Sequence, residues 1–488
     1  MPHAGYSDHT APLLKTITDD QIHEIKQASF LILERTGCQV GHDKALKLLK
    51  EAGAFVKDDR VCVPRYLIED ALAKVPKGFV LYNRDGEPAL DLSGRKSYFG
   101  SATASPNHRH ALKKDRRPTT LQDIAWGAVT ADALPNLDFV MPFGSAQDVP
   151  GRAGELYEFE TVVQNTAKPI FFCGYSSKGV DLVFDMAAEV AGGKEALTQK
   201  PFLVPYPEPI TPLQFPYEVV ERIFVCASRH MPQITCGAQL TGFTAPVTLA
   251  GSLALATAES FFGILLAQLC RKGAPCFLTS GLGPMNMRTG IALISSPEMS
   301  LSLAAQAQIA RTVGLPTWGL AGATDAKTID AQAGAEAALD AVVQALAGVS
   351  IIHDVGYMDM GMACSCAMMV LGDEIISWVK RLVQGIEVNA ETLAEEVIHN
   401  VGPGGEFLTQ QHTVDHMRKE SWQAKLFCKD SFDAWVAGGA MTLEEKADQK
   451  VAEILKNHQP KGLSDKVIEA IVEIRKKGEQ QLVNYGDK

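Results

Sequence analysis

The sequence predicts an α/β protein: a (β/α)8 TIM barrel with N-terminal and C-terminal mostly helical additions. Three observations carry that expectation. From Ser97 onward, apolar runs of strand length alternate eight times with helices of a dozen or so residues. Several runs follow a proline punctuator, as in Lys168-Pro169, Ala274-Pro275 and Leu315-Pro316. The last run, Val349–Ile352, opens abruptly into His353, Asp354 and Tyr357, with Gly356 and Gly361 loosening the backbone. Barrels present their chemistry in that way, at the carboxyl ends of buried strands. A doubly wound open sheet is the alternative, and the missing GxGxxG after the first strand disfavours it.

Residues 1–95 read as a helical cap. Thr18 with Gln21 forms a capping-box pattern, and Ile22, Ile25, Ser29, Ile32 and Leu33 follow near helical spacing until Gly37. Asp43–Ala52 is a second helix and Val61–Val63 a short strand. Pro64 starts a third helix, and Phe79–Asn83 is a strand edge before the turn Asp85-Gly86. Residues 96–386 form the catalytic barrel. Its strands are Tyr98–Ala102, Phe139–Gly144, Ile170–Gly174, Phe202–Tyr206, Ile234–Leu240, Cys276–Gly281, Thr317–Gly322 and Val349–His353. Between them lie helices Leu121–Leu134, Gly154–Asn165, Val180–Val190, Tyr217–Ser228, Leu249–Cys270, Glu298–Val313 and Gln332–Leu346, and Cys366–Val383 closes the set. Residues 387–488 are a helical extension. Asn389 caps a helix reaching about Asn400, Gly402-Pro-Gly-Gly405 interrupts it, and Thr442–Asn457 and Leu463–Lys477 are charged helices with apolar stripes.

The composition narrows the function classes. Of 488 residues, 46% are hydrophobic and 21% charged, which suits a large buried core. A net charge of −11 argues against nucleic acid and anionic membranes as partners and suits a cationic ligand. The N-terminus lacks a signal-peptide pattern, and the apolar region Ala250–Cys270 is interrupted by Ser252, Thr257, Glu259, Ser260 and Gln268. It reads as a buried helix. Ten cysteines, scattered mostly in apolar segments without a CxxC pair, fit reduced thiols in a cytoplasmic protein. Cys364-Ser-Cys366 is the only pair close enough to suggest metal or redox chemistry.

The strand exits define the candidate site: Tyr98, Phe99 and Ser101 from the first strand, Tyr206 and Glu208 after the fourth, and Gln239 and Phe243 after the fifth. Asp325 follows the seventh, and His353, Asp354 and Tyr357 end the eighth. The set is rich in aromatics, holds three carboxylates, and has no cation closer than Arg288 and Lys327. Aromatic faces with carboxylates favour a cation that donates no hydrogen bond, a quaternary ammonium. Phe99, Phe172 and Phe243 serve equally well as fillers of the barrel layers. No glycine-rich phosphate loop precedes a late helix, and the only candidate lysine for a Schiff base, Lys327, sits past a strand end among acids and reads as a surface ion pair. A divalent-metal lyase or hydrolase using His353, Asp325 and Glu208 stays open, as does a non-catalytic betaine-binding protein.

At these residues the chain resembles the trimethylamine methyltransferase family. The matching stretches are Tyr98–Ala102, Glu208–Leu213, Gly242–Thr248 with Glu259, Thr324–Lys327 with Asp330 and Gln332–Gly334, Ile352–Tyr357, and Gly404–Leu408 with His412 and His416. The resemblance implies transfer of a methyl group from an amine to the cobalt of a corrinoid (cobalamin) carried on a separate protein, with no tightly bound metal in this chain. The founding members carry pyrrolysine, and no such residue stands here. The expected donor is therefore a quaternary amine. Glycine betaine is favoured, releasing dimethylglycine, with proline betaine, carnitine and γ-butyrobetaine as alternatives. On that reading, His353, Asp325 and Glu208 are the expected catalytic residues, the two acids balancing charge or holding polar partners, and Tyr98, Phe99, Tyr206, Phe243, Asp354 and Tyr357 are the expected substrate-binding ones. His353 is expected to hold the substrate carboxylate. A homo-oligomer is expected.

Overall fold

A computed structural model describes residues 12–110 and 115–483, so residues 1–11 of the expected cap and its signal-peptide-free start lie outside the described residues. The protein is mixed α/β. Its centre is a set of short parallel strands whose neighbours follow chain order. Ile351–Val355 pairs in parallel with Trp318–Leu320 on one side and with Tyr98–Ser101 on the other. Gly100 bridges Phe139, and Val140 bridges Ile170. Ile170–Phe172 pairs with Leu203–Pro205. Ile234 then donates its N–H to Pro205 at 3.1 Å, Gln233 bridges Cys276 in parallel, and Leu278 donates to Pro316 at 3.0 Å.

Strand alternation sorts the side chains of these segments. At least one residue from each joins a single apolar cluster: Tyr98, Phe139 with Met141, Phe171, Val204, Ile234 with Cys236, Phe277, Trp318 and Ile351. The antiparallel hairpin Val80–Tyr82/Pro88–Asp91 adds Leu81 and Leu90 to it. That hairpin covers the amino ends of the strands: the N–H of Asp91 donates to the hydroxyl of Tyr98 at 3.0 Å. Side chains of the opposite parity, such as Phe99, Ile170, Phe172, Leu203 and Ile352, pack outward among helices.

The helices form where the spacing put them. Gly154–Asn165, Tyr217–Ser228, Leu249–Cys270 and Cys366–Val383 have the expected bounds. Thr18 and Gln21 make the reciprocal capping box, which satisfies two N–H groups at the helix start. Leu249–Cys270 is long and apolar enough to cross a membrane but lies buried, with Phe261 stacked on Phe30 of the first helix at 5.4 Å. The expected helix from Asn389 to Asn400 is broken at Ala394, whose positive φ of 52° separates Ala390–Leu393 from Glu395–Val401. An antiparallel ribbon, Asn107–His110 with Asp115–Pro118, was not expected; it pairs with Ala363–Cys364 beyond the last strand. All ten cysteines are unbridged, and burial raises the thiols of Cys364 and Cys366, which bond to Ser105 and Thr130.

Candidate functional site

The strand Ile351–Val355 is irregular where it matters. Its register against Tyr98–Ser101 shifts between Ile352 and Val355, and Asp354 takes a positive φ of 77°. A bulge re-aims side chains, and a non-glycine residue in the left-handed region costs about 1–3 kcal/mol. Here the distortion brings two successive polar groups together: His353 Nδ1 lies 3.3 Å from Asp354 Oδ2. The contact lacks hydrogen-bond orientation, so Nδ1 of His353 and Oδ1 of Asp354 have no hydrogen-bond partner among the described residues. Gly356 follows with φ 109°, and a Cβ there would press on the ring of Phe143.

Burial depresses the imidazole of His353 to about 3, so it is neutral. Burial alone raises the carboxyl of Asp354 well above the carboxylate range. His353 meets Trp318 edge-on at 4.0 Å between ring centroids, and Trp318 lies 5.7 Å from the ring of Tyr206. Burial raises the Tyr206 hydroxyl, helped by the nearby Cys236 and Glu208, and that hydroxyl bonds Cys236. Glu208 is raised by burial against the opposing pull of Arg222, and it accepts the N–H of Ala238. The hydroxyl of Tyr357 donates to the carbonyl of Thr103 and is raised by burial and then by Asp354. Burial raises the Cys173 thiol too, and Glu208 and Asp354 add to it. Cys173, Tyr206, Glu208 and Tyr357 each keep part of their surface exposed at these strand exits, while Asp354 is 3% exposed.

The loop after Pro205 is held from behind. Glu259, buried in the helix Leu249–Cys270, accepts the N–H of Leu213 at 2.6 Å with one oxygen and the amide of Gln239 with the other. Burial raises this carboxyl as well.

Four expected positions lie elsewhere. Tyr98 points to the amino end of its strand and meets the hairpin, because it is the first residue of the strand. Phe99 faces the helices: neighbours in a strand point to opposite sides, so only one of this pair can face inward. Phe243 is 74% exposed on a loop tip, outside the aromatic group around Trp318. Asp325 holds a loop, accepting the N–H of Ile294 at 3.1 Å and that of Ser295; its charge neighbours are Glu336 and Lys327, not Glu208 or Asp354. His353, Asp325 and Glu208 therefore do not form one ligand set, and among the described residues no group of three His, Cys, Asp or Glu side chains is arranged to hold a metal. Sequence reasoning missed Trp318 and Cys173 as site residues and quoted Glu259 only within the stretches that carry the family resemblance.

Residues 3–481 match the family model described as "Trimethylamine methyltransferase (MTTB)". The trimethylamine methyltransferase MttB of Desulfitobacterium hafniense is 32% identical over 469 residues, 96% of this chain and 94% of the relative. A glycine betaine methyltransferase of the same species is 30% identical over 458 residues, 93% and 95% of the two chains. Among solved structures, the Methanosarcina barkeri monomethylamine methyltransferase aligns with a TM-score of 0.49 at 12% identity, covering 99% of this chain and 90% of that one. With nearly its whole length matched, the chain belongs to the trimethylamine methyltransferase family and is a methyltransferase acting on methylated amines.

Proposed function

We propose that this enzyme moves a methyl group from a quaternary amine to the Co(I) of a corrinoid held by a partner protein. The buried carboxyl of Asp354, whose Oδ1 has no partner among the described residues and which lies beside His353 and acts on Tyr357 and Cys173, carries the reading. A permanent cation is the ligand that makes ionising such a group favourable. Relatives named for trimethylamine and for glycine betaine support a trimethylated nitrogen. The sequence favours glycine betaine, with proline betaine, carnitine and γ-butyrobetaine beside it.

The eight parallel segments are read as a closed (β/α)8 barrel, residues 96–386, between an N-terminal cap, 1–95, and a C-terminal extension, 387–488. The site residues position and shield. Tyr206 and Tyr357 wall the nitrogen, Asp354 balances its charge, and His353 fixes the floor against Trp318. Asp325 shapes the rim by holding the loop at Ile294. The C–N electron pair stays on nitrogen, the acceptor supplies the pair for the new bond to carbon, and a neutral tertiary amine leaves without a proton. Ionising Asp354 consumes part of the cation's binding energy, so the ground state is not over-stabilised as nitrogen loses charge.

The strand-exit loops fit an acceptor delivered from outside. Phe243, Val247, Met287 and Ile291 are exposed on two neighbouring loops joined by the pairing of Leu240–Thr241 with Gly283–Asn286. They offer an apolar rim to a partner presenting a corrin face. The extension bears the expected self-association: its helices from Ala390 to Ala437 bury no residue, while Ile386, Val388, Leu408 and Phe432 are each more than 70% exposed.

The test is direct. The protein is incubated with reduced cobalamin and a panel of quaternary amines while the cobalt spectrum is followed. Methylcobalamin should appear with at least one quaternary amine; no methylation with any of them sinks the reading.

A further inference from the structure

The chain leaving the strand Ile170–Phe172 is tied down residue by residue. The carbonyl of Phe172 accepts the N–H of Tyr206 at 3.0 Å, and that of Gly174 accepts the guanidinium of Arg222. The next two N–H groups go to one side chain. Glu155 takes that of Tyr175 on Oε2 at 2.8 Å and that of Ser176 on Oε1 at 3.2 Å. The Ser176 hydroxyl donates to the same Oε1 at 3.1 Å and accepts the N–H of Gly179 at 3.0 Å, which caps the helix Ser177–Ala191. Through Phe172 this segment is the immediate neighbour of Tyr206, a wall of the candidate site.

A second acid lies one turn further along the helix Gly154–Asn165, on the same face. Glu158 accepts the N–H of Ala146 at 3.0 Å, and both its oxygens lie 3.0 Å from the hydroxyl of Tyr175. Glu155 and Glu158 are 2% and 4% exposed. Burial raises each carboxyl to about 7, and Glu158 adds to the rise at Glu155. Two buried acids side by side resist ionising together. Their partners decide which one ionises. Glu155 receives three donors and stands at the positive end of the helix Ser177–Ala191, where Gly179 leaves the room, since a Cβ there would collide with Oε1. A proton on Glu155 would strand one of those donors. Glu158 receives a single N–H, and the Tyr175 hydroxyl beside it has Ser145 Oγ at 3.1 Å to donate to. That hydroxyl is then open to accept a proton from Glu158.

We propose that Glu155 is a positioning residue for the methyl transfer: ionised, it holds Cys173–Ser176 as a fixed wall beside Tyr206, while Glu158 carries the proton that lets the two acids stand together. The inference rests on the proposed reaction. Without the clamp the segment has to be ordered when the amine binds, so its loss falls on binding rather than on the chemical step.

Kinetics of cob(I)alamin methylation by the full-length protein test this, with tetramethylammonium, choline and glycine betaine as donors. Glu155→Gln keeps the shape but replaces one acceptor oxygen by an NH2 group. It should raise the amine KM at least tenfold and leave kcat within threefold. Glu158→Gln still accepts from Ala146 and still donates to Tyr175, so it should raise KM threefold at most. Equal effects of the two changes, or a fall in kcat at constant KM, overturn the proposal. Should Glu155→Gln fail to fold, Ser176→Ala decides: removing one donor should raise KM at least threefold at unchanged kcat, and an unchanged KM overturns the clamp. If the wild type methylates cobalamin with none of the three, the reaction reading fails. Calorimetry then judges the clamp alone: Glu155→Gln should lose at least tenfold in amine affinity, and unchanged affinity, or no binding of any amine by the wild type, overturns it.

Discussion

Asp354 concentrates the cost of this site in one residue. It is buried, left-handed in backbone and short of a hydrogen bond. Its carboxyl is raised in the folded chain, so the folded state binds the proton more tightly than the unfolded one. Stability from this group is therefore fully present below the unfolded carboxylate range and is lost as pH rises toward the folded value. Asp354→Asn should then stabilise the ligand-free protein at neutral pH, by about 1.4 kcal/mol for each unit of that shift between the unfolded value and the working pH. Thermal melts with and without ligand check this, since the same change should weaken cation binding. In the wild type, affinity for a permanent cation should fall as pH drops below the folded value of Asp354, by about tenfold per unit. Calorimetry across pH reads the slope; a flat profile removes Asp354 as the counter-ion. His353 is neutral throughout that range, and Trp318 fixes its ring, so His353→Ala should disturb position more than charge. A rate loss with the affinity–pH slope retained is the expected signature.

Elements were more legible than their irregularities. The helix Leu249–Cys270 could be read from composition because an apolar run of that length, interrupted by small polar residues, has few other outcomes. The strands could be read as runs, but a run does not say which parity faces inward. Tyr98 and Phe99 were both placed at the mouth, and neither is there. The bulge that pairs His353 with Asp354 has no signature in composition, because it arises from register against a neighbouring strand. The ribbon at Asn107–His110 was hidden because its polar alternation reads as a loop. Glu259, by contrast, was quoted from the sequence beside the loop motifs, and the structure supplies the reason. It ties the segment that carries Glu208 to a buried helix. Glu259→Ala strands the Leu213 N–H and the Gln239 amide, which should cost about 1–3 kcal/mol. It should also raise KM more than it lowers kcat, because the loosened loop carries a wall of the site. Steady-state kinetics and denaturant titration separate the two effects. A similar tie holds the C-terminal strap: one oxygen of Glu374 accepts the N–H groups of Lys425, Leu426 and Phe427. Glu374→Ala should free those amides to faster hydrogen exchange while the helix Cys366–Val383 stays protected.

At the scale of the whole molecule, the two helical additions differ in how they meet the centre. The N-terminal helices share a continuous core with Leu249–Cys270, and the last two helices pack against Cys366–Val383 and Ser177–Ala191. The stretch between, Ala390–Ala437, buries no helical residue and shows its apolar side chains to solvent. Self-association should cover them. Light scattering should give a mass that is a multiple of 52.6 kDa, and Leu408→Glu should reduce it without loss of helical signal.

The hairpin over the amino ends of the strands has a kinetic consequence. With Leu81, Leu90 and Tyr98 filling that end, the strand exits are left as the way in among the described residues, and under the proposed reaction the acceptor covers that same opening. A donor arriving late would find the entrance blocked, and a spent amine would wait behind the seated partner. Turnover should thus proceed in a compulsory order, amine first, and surplus acceptor protein should slow the enzyme when amine is scarce.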